Sequence, residues 1–457
     1  MTRVLLVGSG AREHALAKAL LKNSNVELYA AMSSRNPGIM RLAREWIVTK
    51  ISNPLLMTAY AKRNRIELAV IGPEDPLVNG IVNALTSIEV NCVGPTQRLA
   101  PLEGDKAFCR KLLTKYQIAG NPEYRIFNDG NSAEAYLKTS GPVAIKPSGL
   151  TGGKGVKVTG DDLPTKNAEI NYVREIFSNK IGGGESVVIE EKLDGEEYSV
   201  QAFVDGKNVC LMPLVQDHKR SLEDDSGPNT GGMGSYSDSN HGLPFVSQFD
   251  LETSTEIMGS VVNALKSETG EEYHGFLYGQ FMLARSQNDA QANPKLIEFN
   301  CRLGDPEAMN TLPILSDDTR LLDICERIVD GNLTMKQLSF KSKATVCKYL
   351  VPSTYPEKAT QQPFTVDEHA IEELGAEIFY AGVDQTDDEL LTTGSRTVAV
   401  LGISDVLSNA ETCAESATKF VKGPLRHRRD IGTRQLIERR IEHVRRIGAP
   451  VIEAGVR

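Results

Sequence analysis

The segment KLIEFNCRLGDPE, residues 295–307, carries the densest chemistry of the chain. Successive side chains of an extended strand point to opposite faces. Leu296, Glu298 and Asn300 therefore fall on one face, and Ile297 and Phe299 on the other. A carboxylate and an amide oxygen at that spacing are hard ligands, suited to Mg²⁺ held together with substrate phosphates. Gln280, on a strand expected over 276–284, offers a third oxygen. Arg302, Asp305 and Glu307 follow at once, and charges this dense beside an apolar strand are costly to desolvate unless paired or liganded. The bland alternative is an Arg302–Asp305 ion pair capping a turn.

Upstream, VAIKPSGLTGGKGVKVT (143–159) reads as two strands, 143–146 and 156–159, around a glycine-rich loop. It is not a Walker P-loop, which would need Gly at 148 and Ser or Thr at 155, where the chain has Ser148 and Gly155. Lys146 on the strand and Lys154 in the loop, with free backbone amides, can fold over a polyphosphate as a lid. An ordinary turn with solvated lysines competes with that reading, but four glycines beside two lysines weigh against it. The strand over 186–190 leads into EEKLDGEE (190–197). Such a crossover can offer backbone groups to an adenine edge and a carboxylate to ribose hydroxyls; an acidic surface turn explains it equally well.

At the other end, apolar runs 4–7, 26–30, 68–71 and 90–93 alternate with helical patterns, which implies a parallel sheet with covering helices. Gly8-Ser9-Gly10 opens the first helix, where bare amides favour an anion. The third glycine of the dinucleotide fingerprint is replaced by Glu13, which would crowd and repel a pyrophosphate and disfavours NAD. A ligand-free turn is the simplest reading of a lone GxG, while Arg12 argues for a phosphate-bearing small molecule. His14 reads as a packing or helix-surface residue.

Between and beyond these motifs, a helix is expected over 105–117 and a hairpin over 198–214 around Asp205-Gly206. Residues 226–236 read as a loop on composition. A helix follows over 250–267, then strands 276–284 and 294–299, and a helix 318–330 stopped by Gly331. A last unit has strands 344–351 and 397–402, and the final ~35 residues are arginine-rich. The expected units are 1–104, 105–335 with a lid about 124–192, and 336–457.

A length of 457 residues accommodates two to four domains at roughly 100–200 residues each. The net charge of −9 argues against a protein that coats nucleic acid. No run approaches the roughly 18 apolar residues of a membrane span. The first residues read as a strand and not a signal peptide. Seven cysteines without a CxxC suggest neither a disulfide framework nor a thiolate zinc site, so a reducing, cytoplasmic setting is expected.

Taken in order, GSGAREHA (8–15), IGPEDPL (71–77), GPT (94–96), KPSGLTGGKGV (146–156), EEKLDGEE (190–197), QDHKR (216–220), GPNTGGMGSY (227–236), EFNCRLGDPEA (298–308) and RRDIG (428–432) resemble the ATP-grasp superfamily. Within it they resemble the phosphoribosylamine–glycine ligase (glycinamide ribonucleotide synthetase) family. The resemblance spans nearly the whole chain. It departs where many members read KADGLAAGKGV, and at Met309, where Gln or Glu is usual. The residues beyond Ile431-Gly432 run past the usual end of the pattern as a basic helical tail.

The resemblance implies an α/β and α+β multidomain fold. It would have a Rossmann-like parallel-sheet N-terminal domain, a central ATP-grasp domain with a small lid, and a mixed α/β C-terminal domain. It implies an enzyme of de novo purine biosynthesis that joins glycine to 5-phospho-β-D-ribosylamine, turning ATP into ADP and phosphate through a glycyl phosphate. Carried over, Lys106, Lys146 and Lys154 face the ATP phosphates, Glu190 and Leu193 adenine, and Glu197 ribose. Glu298, Asn300 and Gln280 bind Mg²⁺ or Mn²⁺. Arg302 and Lys154 take catalytic roles. Gly8, Ser9, Gly10, Asp217, Lys219, Asn229, Thr230, Gly231 and Gly232 build the ribosylamine site. The expected partners are these small molecules, with no nucleic acid, no membrane, and a monomer or weak homodimer. Another ATP-grasp ligase acting on a different carboxylate is the same-fold alternative; an NAD-binding oxidoreductase and a nucleotide sensor without turnover are the competing classes.

Overall fold

A computed structural model of the chain describes every residue except 23–24, 287–290, 358–359, 388 and 450–457. The final eight residues of the expected 336–457 unit thus lie outside the described residues. The N-terminal sheet has five strands in the order Glu45–Val48, Val26–Met32, Thr2–Val7, Leu68–Ile71, Asn91–Val93, all parallel. Its central strands read as continuous apolar runs because helices cover both faces; Val4 to Val7 are fully buried. The edge strand Glu45–Val48 was not expected: its burial alternates, but its residue types, Glu45-Trp46-Ile47-Val48, do not.

A four-stranded antiparallel sheet in the order Val209–Leu211, Gly195–Asp205, His274–Ala284, Asn293–Asn300 forms the centre. The helix Gln248–Thr269 lies against it, started by a Ser247–Asp250 capping box and stopped by Gly270 in the left-handed region. The lid is a second antiparallel sheet, Tyr124–Phe127, Val187–Glu191, Val143–Pro147, Lys157–Val158. Helices Gly130–Leu137 and Lys166–Ser178 back it, and it has its own core around Ile145, Tyr172, Val173, Ile176 and Ile189. Helix Lys106–Lys115, capped by Asp105, joins it to the N-terminal sheet.

Two expectations need correction. Residues 226–236 are not a plain loop: Ser226–Asn229 and Gly234–Ser237 are strands. Gly234–Ser237 pairs with Ala344–Pro352, more than a hundred residues away, so local composition could not reveal it. With Gln216–Asp217 it belongs to the sheet that continues through Ala344–Pro352, Val398–Ser404 and Glu377–Tyr380. Strands from the expected 105–335 unit thus pair directly with those of 336–457.

The second correction concerns 295–300. The register passes from Gln280↔Glu298 to Phe281↔Leu296, so Ile297 is the extra residue of a β-bulge. The bulge breaks the simple alternation. Leu296 enters the main core and Phe299 packs in it while touching the cavity, whereas Ile297 joins Glu298 and Asn300 on the cavity wall. The carbonyls freed by the bulge are held: Arg110 donates to Leu296 O at 3.0 Å and to Ile297 O at 2.8 Å, and Lys146 donates to Ile297 O at 3.2 Å.

Candidate active site

The lid, the central sheet and the N- and C-terminal elements surround a cavity of about 910 Å³. Of the residues singled out above, Lys106, Lys146, Glu190, Leu193, Glu197, Asp217, Lys219, Asn229, Thr230, Gly231, Glu298, Asn300 and Arg302 all line it. They come from six separate stretches of sequence.

Glu298 is its electrostatic centre. Burial acts to raise its carboxyl, but Lys219, Lys106, Lys146 and Arg302 hold it below the ordinary carboxylate range. Lys106 and Lys146 line the cavity towards the lid. Lys106 donates to Gly149 O at 3.2 Å, and Lys146 pairs with Glu190 at 2.8 Å. Burial lowers the Lys106 ammonium, with Glu298 acting against it. The Glu190 carboxylate is also gripped by Arg110 at 2.7 and 3.0 Å. Arg110 sits on Lys106–Lys115 and reads as an ordinary surface residue in sequence; only the contact with Glu190 and the bulge buries it.

Arg302 does not pair with Asp305. It reaches Glu103 at 3.0 Å and Glu74 at 3.3 Å, and it donates to Asn300 Oδ1 at 3.1 Å. Asp305 pairs instead with Arg396 at 3.3 Å and accepts from the Tyr349 hydroxyl at 2.5 Å. Arg396 donates to the carbonyls of Gly231 and Gly232 at 2.6 and 3.1 Å, and so fixes the 230–233 turn. The sequence reading missed Glu74, Glu103 and Arg396. GPED (72–75) and RLGDPE (302–307) were visible as motifs, but their mutual contact was not.

Deeper in, Lys219 lies 3.0 Å from Glu197 and 4.0 Å from Asp217. Gln280 is wholly buried; its amide nitrogen donates to Glu197 at 2.7 Å and to Asp217 at 3.2 Å, and its oxygen accepts from the Tyr278 hydroxyl. The same Tyr278 hydroxyl lies 2.8 Å from the Glu307 carboxyl, so the two acceptors share its one proton. Burial, then the neighbouring Asp217, pushes the Glu307 carboxyl up.

Gly8, Ser9, Gly10, Lys154, Gly232 and Gln280 are not among the lining residues. At the helix start, the Glu13 carboxylate accepts from Gly10 N at 2.6 Å, and a Cβ at Gly8, Gly10 or Gly72 would collide with it. Ser9 instead meets the Ser33 hydroxyl at 2.8 Å. His14 is buried against Phe379 and Tyr380; burial pushes its imidazole down to about 3. Lys154 is exposed at the loop tip, 5.4 Å from the centre of the Tyr355 ring. Gly152 and Gly153 beside it line the cavity in the left-handed region that glycine alone adopts freely.

Glu298 and Asn300 fit a divalent cation as hard oxygen donors. Among the described residues no trio of His, Cys, Asp or Glu could hold a metal by itself. A Mg²⁺ or Mn²⁺ carried in with nucleotide phosphates could use such a pair, the phosphates supplying further oxygens.

Residues 2–103, 104–308 and 345–434 match, in turn, the N, ATP-grasp (A) and C domains of phosphoribosylglycinamide synthetase. The phosphoribosylamine–glycine ligase of Methanothermobacter thermautotrophicus is 47% identical over 444 residues, covering 97% of this chain and 99% of that protein. The crystal structure of phosphoribosylamine–glycine ligase from Thermotoga maritima superposes with a TM-score of 0.77 at 27% identity, over 94% of this chain and 100% of that one. The biotin carboxylase domain of a Hydrogenobacter thermophilus 2-oxoglutarate carboxylase, solved with MgADP, shares the fold at 15% identity, with a TM-score of 0.68 over 97% and 94%.

Proposed function

The chain belongs to the phosphoribosylglycinamide synthetase family, and from that premise we propose how its cavity divides the work. The activity is ligation of glycine to 5-phospho-β-D-ribosylamine in purine biosynthesis, with ATP as co-substrate and Mg²⁺ or Mn²⁺ as metal. Phosphoryl transfer needs positioning and charge neutralisation more than a covalent protein group. The observation that carries the assignment of roles is the ring of Lys106, Lys146, Lys219 and Arg302 around Glu298.

In this reading Lys106 and Lys146 meet the ATP phosphates, and Lys154 closes on them with the glycine loop. Glu190 and the Leu193 backbone meet adenine, and Glu197 meets ribose. Glu298 and Asn300 hold the metal, and Gln280 orients Glu197 and Asp217 behind them. A bound metal would neutralise charge on the phosphoryl oxygens. The glycine carboxylate attacks the γ-phosphorus and expels ADP, giving glycyl phosphate. Arg302 stabilises the oxygens of the group in flight. The ribosylamine nitrogen then attacks the acyl carbon, expels phosphate and loses a proton. Asp217, Lys219 and the 229–232 turn hold the ribosylamine, with Gly8, Ser9 and Gly10 near its phosphate. The domain limits are 1–104, 105–335 and 336–457.

The partners are small molecules. No helix among the described residues is long and apolar enough to cross a membrane. A cytoplasmic enzyme, monomeric or weakly dimeric and without nucleic acid, fits the reading. A coupled ADP-release assay with each substrate omitted in turn tests it. ADP should appear only when ATP, glycine and phosphoribosylamine are all present; release without glycine, or with another carboxylate in its place, overturns the reading.

A further inference from the structure

The arginine-rich tail is a sequence feature the reaction leaves unused. It forms the helix Arg434–Arg446, which begins where the family's C-domain match ends. Leu436, Ile437 and Val444 anchor it, the last two in the main core with Tyr198, Val200 and Tyr236. Its polar face does something more specific. Arg440 lines the cavity and bridges two acidic groups, Glu196 at 3.1 Å and Asp225. One turn on, His443 meets Glu196 at 2.7 Å and Asp194 at 3.2 Å.

These carboxylates belong to the two walls of the site. Glu196 is buried beside Glu197 at the start of the long strand Gly195–Asp205. Asp225 ends the turn Glu223–Asp225, which leads through Ser226–Asn229 into Thr230. Asp224 and Asp225 both hold positive φ, of 58° and 51°, a strained arrangement for residues with a Cβ. Arginines compensate it: Arg428 reaches Asp225 at 3.0 Å, Arg440 reaches it too, and Arg439 reaches Asp224 at 2.7 Å.

We propose that Arg440 and His443 are positioning residues, by which the C-terminal helix ties the strand carrying Glu197 to the turn preceding Asn229 and Thr230 and so sets the spacing between the nucleotide and ribosylamine walls. The inference deepens the ligase reading and rests on it for its kinetic test. Calorimetric binding of MgADP supplies a readout without turnover, so failure of the ligase reading and failure of this one are distinguishable.

Arg440→Met should raise the KM for both ATP and phosphoribosylamine about tenfold, leaving the glycine KM and kcat within about threefold. His443→Gln and Glu196→Gln should raise only the ATP KM and the MgADP Kd, and Asp225→Asn only the phosphoribosylamine KM. Arg440→Lys should recover part of the loss, since an ammonium can still meet one carboxylate. Arg434→Met, which removes the exposed pair with Glu438 on the same helix, should move none of these constants. If Arg440→Met does not fold, Glu196→Gln and Asp225→Asn carry the same test from the other side. A lower Tm with every KM and Kd within about twofold of wild type overturns the proposal, as does an equal rise for all three substrates.

Discussion

Glu298 shows what one residue does here and what it owes to its neighbours. Its carboxylate is ionised against burial because four cations face it. Glu298→Ala removes the proposed metal ligand and leaves those cations facing one another, so kcat should fall by at least about 10²-fold. Steady-state assays at saturating Mg²⁺ check this, and near-normal turnover rules the metal assignment out. Lys154 is the opposite case, its side chain exposed and its ammonium set over the Tyr355 ring. Lys154→Ala should weaken ATP use with the fold intact, and unchanged KM and kcat together would remove its lid role. Both residues were legible in sequence because motif spacing marks them. Arg110, which grips Glu190 and the bulge carbonyls, was not, because a buried arginine on an amphipathic helix looks like an exposed one until its partner is known.

Among the elements, the glycine loop and the bulged strand matter most. Gly149 donates to Gly182 O at 3.2 Å, and a Cβ there would meet that oxygen at 2.4 Å. The obstacle is backbone and cannot swing aside. Gly149→Val should displace the loop and raise the KM for ATP by about tenfold or more, with circular dichroism near wild type because the lid core lies elsewhere. A normal KM would mean that the loop need not keep this seat. The bulge at Ile297 was invisible for a different reason. Alternation in sequence reports strand identity, whereas an extra residue is defined only by the partner strand. Glu298 and Asn300 reached the cavity as the spacing implied, but Leu296 and Ile297 exchanged their expected sides.

Over the whole molecule, the C-terminal helix holds separate parts together through groups that titrate. The hydrogen bond with Glu196 leads in raising the His443 imidazole, with Glu196 and Asp194 charges adding, against burial and Arg446. A group raised on folding stabilises fully below its unfolded pKa and loses that contribution as pH rises through the folded value. The Tm gap between wild type and His443→Gln should therefore be widest below about pH 6.5 and narrow as pH rises above it. A gap that widens with pH would contradict protonated pairing with Glu196.

The sequence by itself determined the family, the α/β class and the order of the motifs, and it marked the lysines, carboxylates and glycines proposed above for the reaction. Spacing and residue type carry that information locally, as in KPSGLTGGKGV and EFNCRLGDPE. Only the tertiary structure decided which charges pair, where the strand bulges, that Gly234–Ser237 joins the C-terminal sheet, and that the basic tail reaches the cavity. Those outcomes depend on which distant groups share a low-dielectric interior, where an unpaired charge or an unbonded carbonyl is too costly to leave, and no local pattern records the partner.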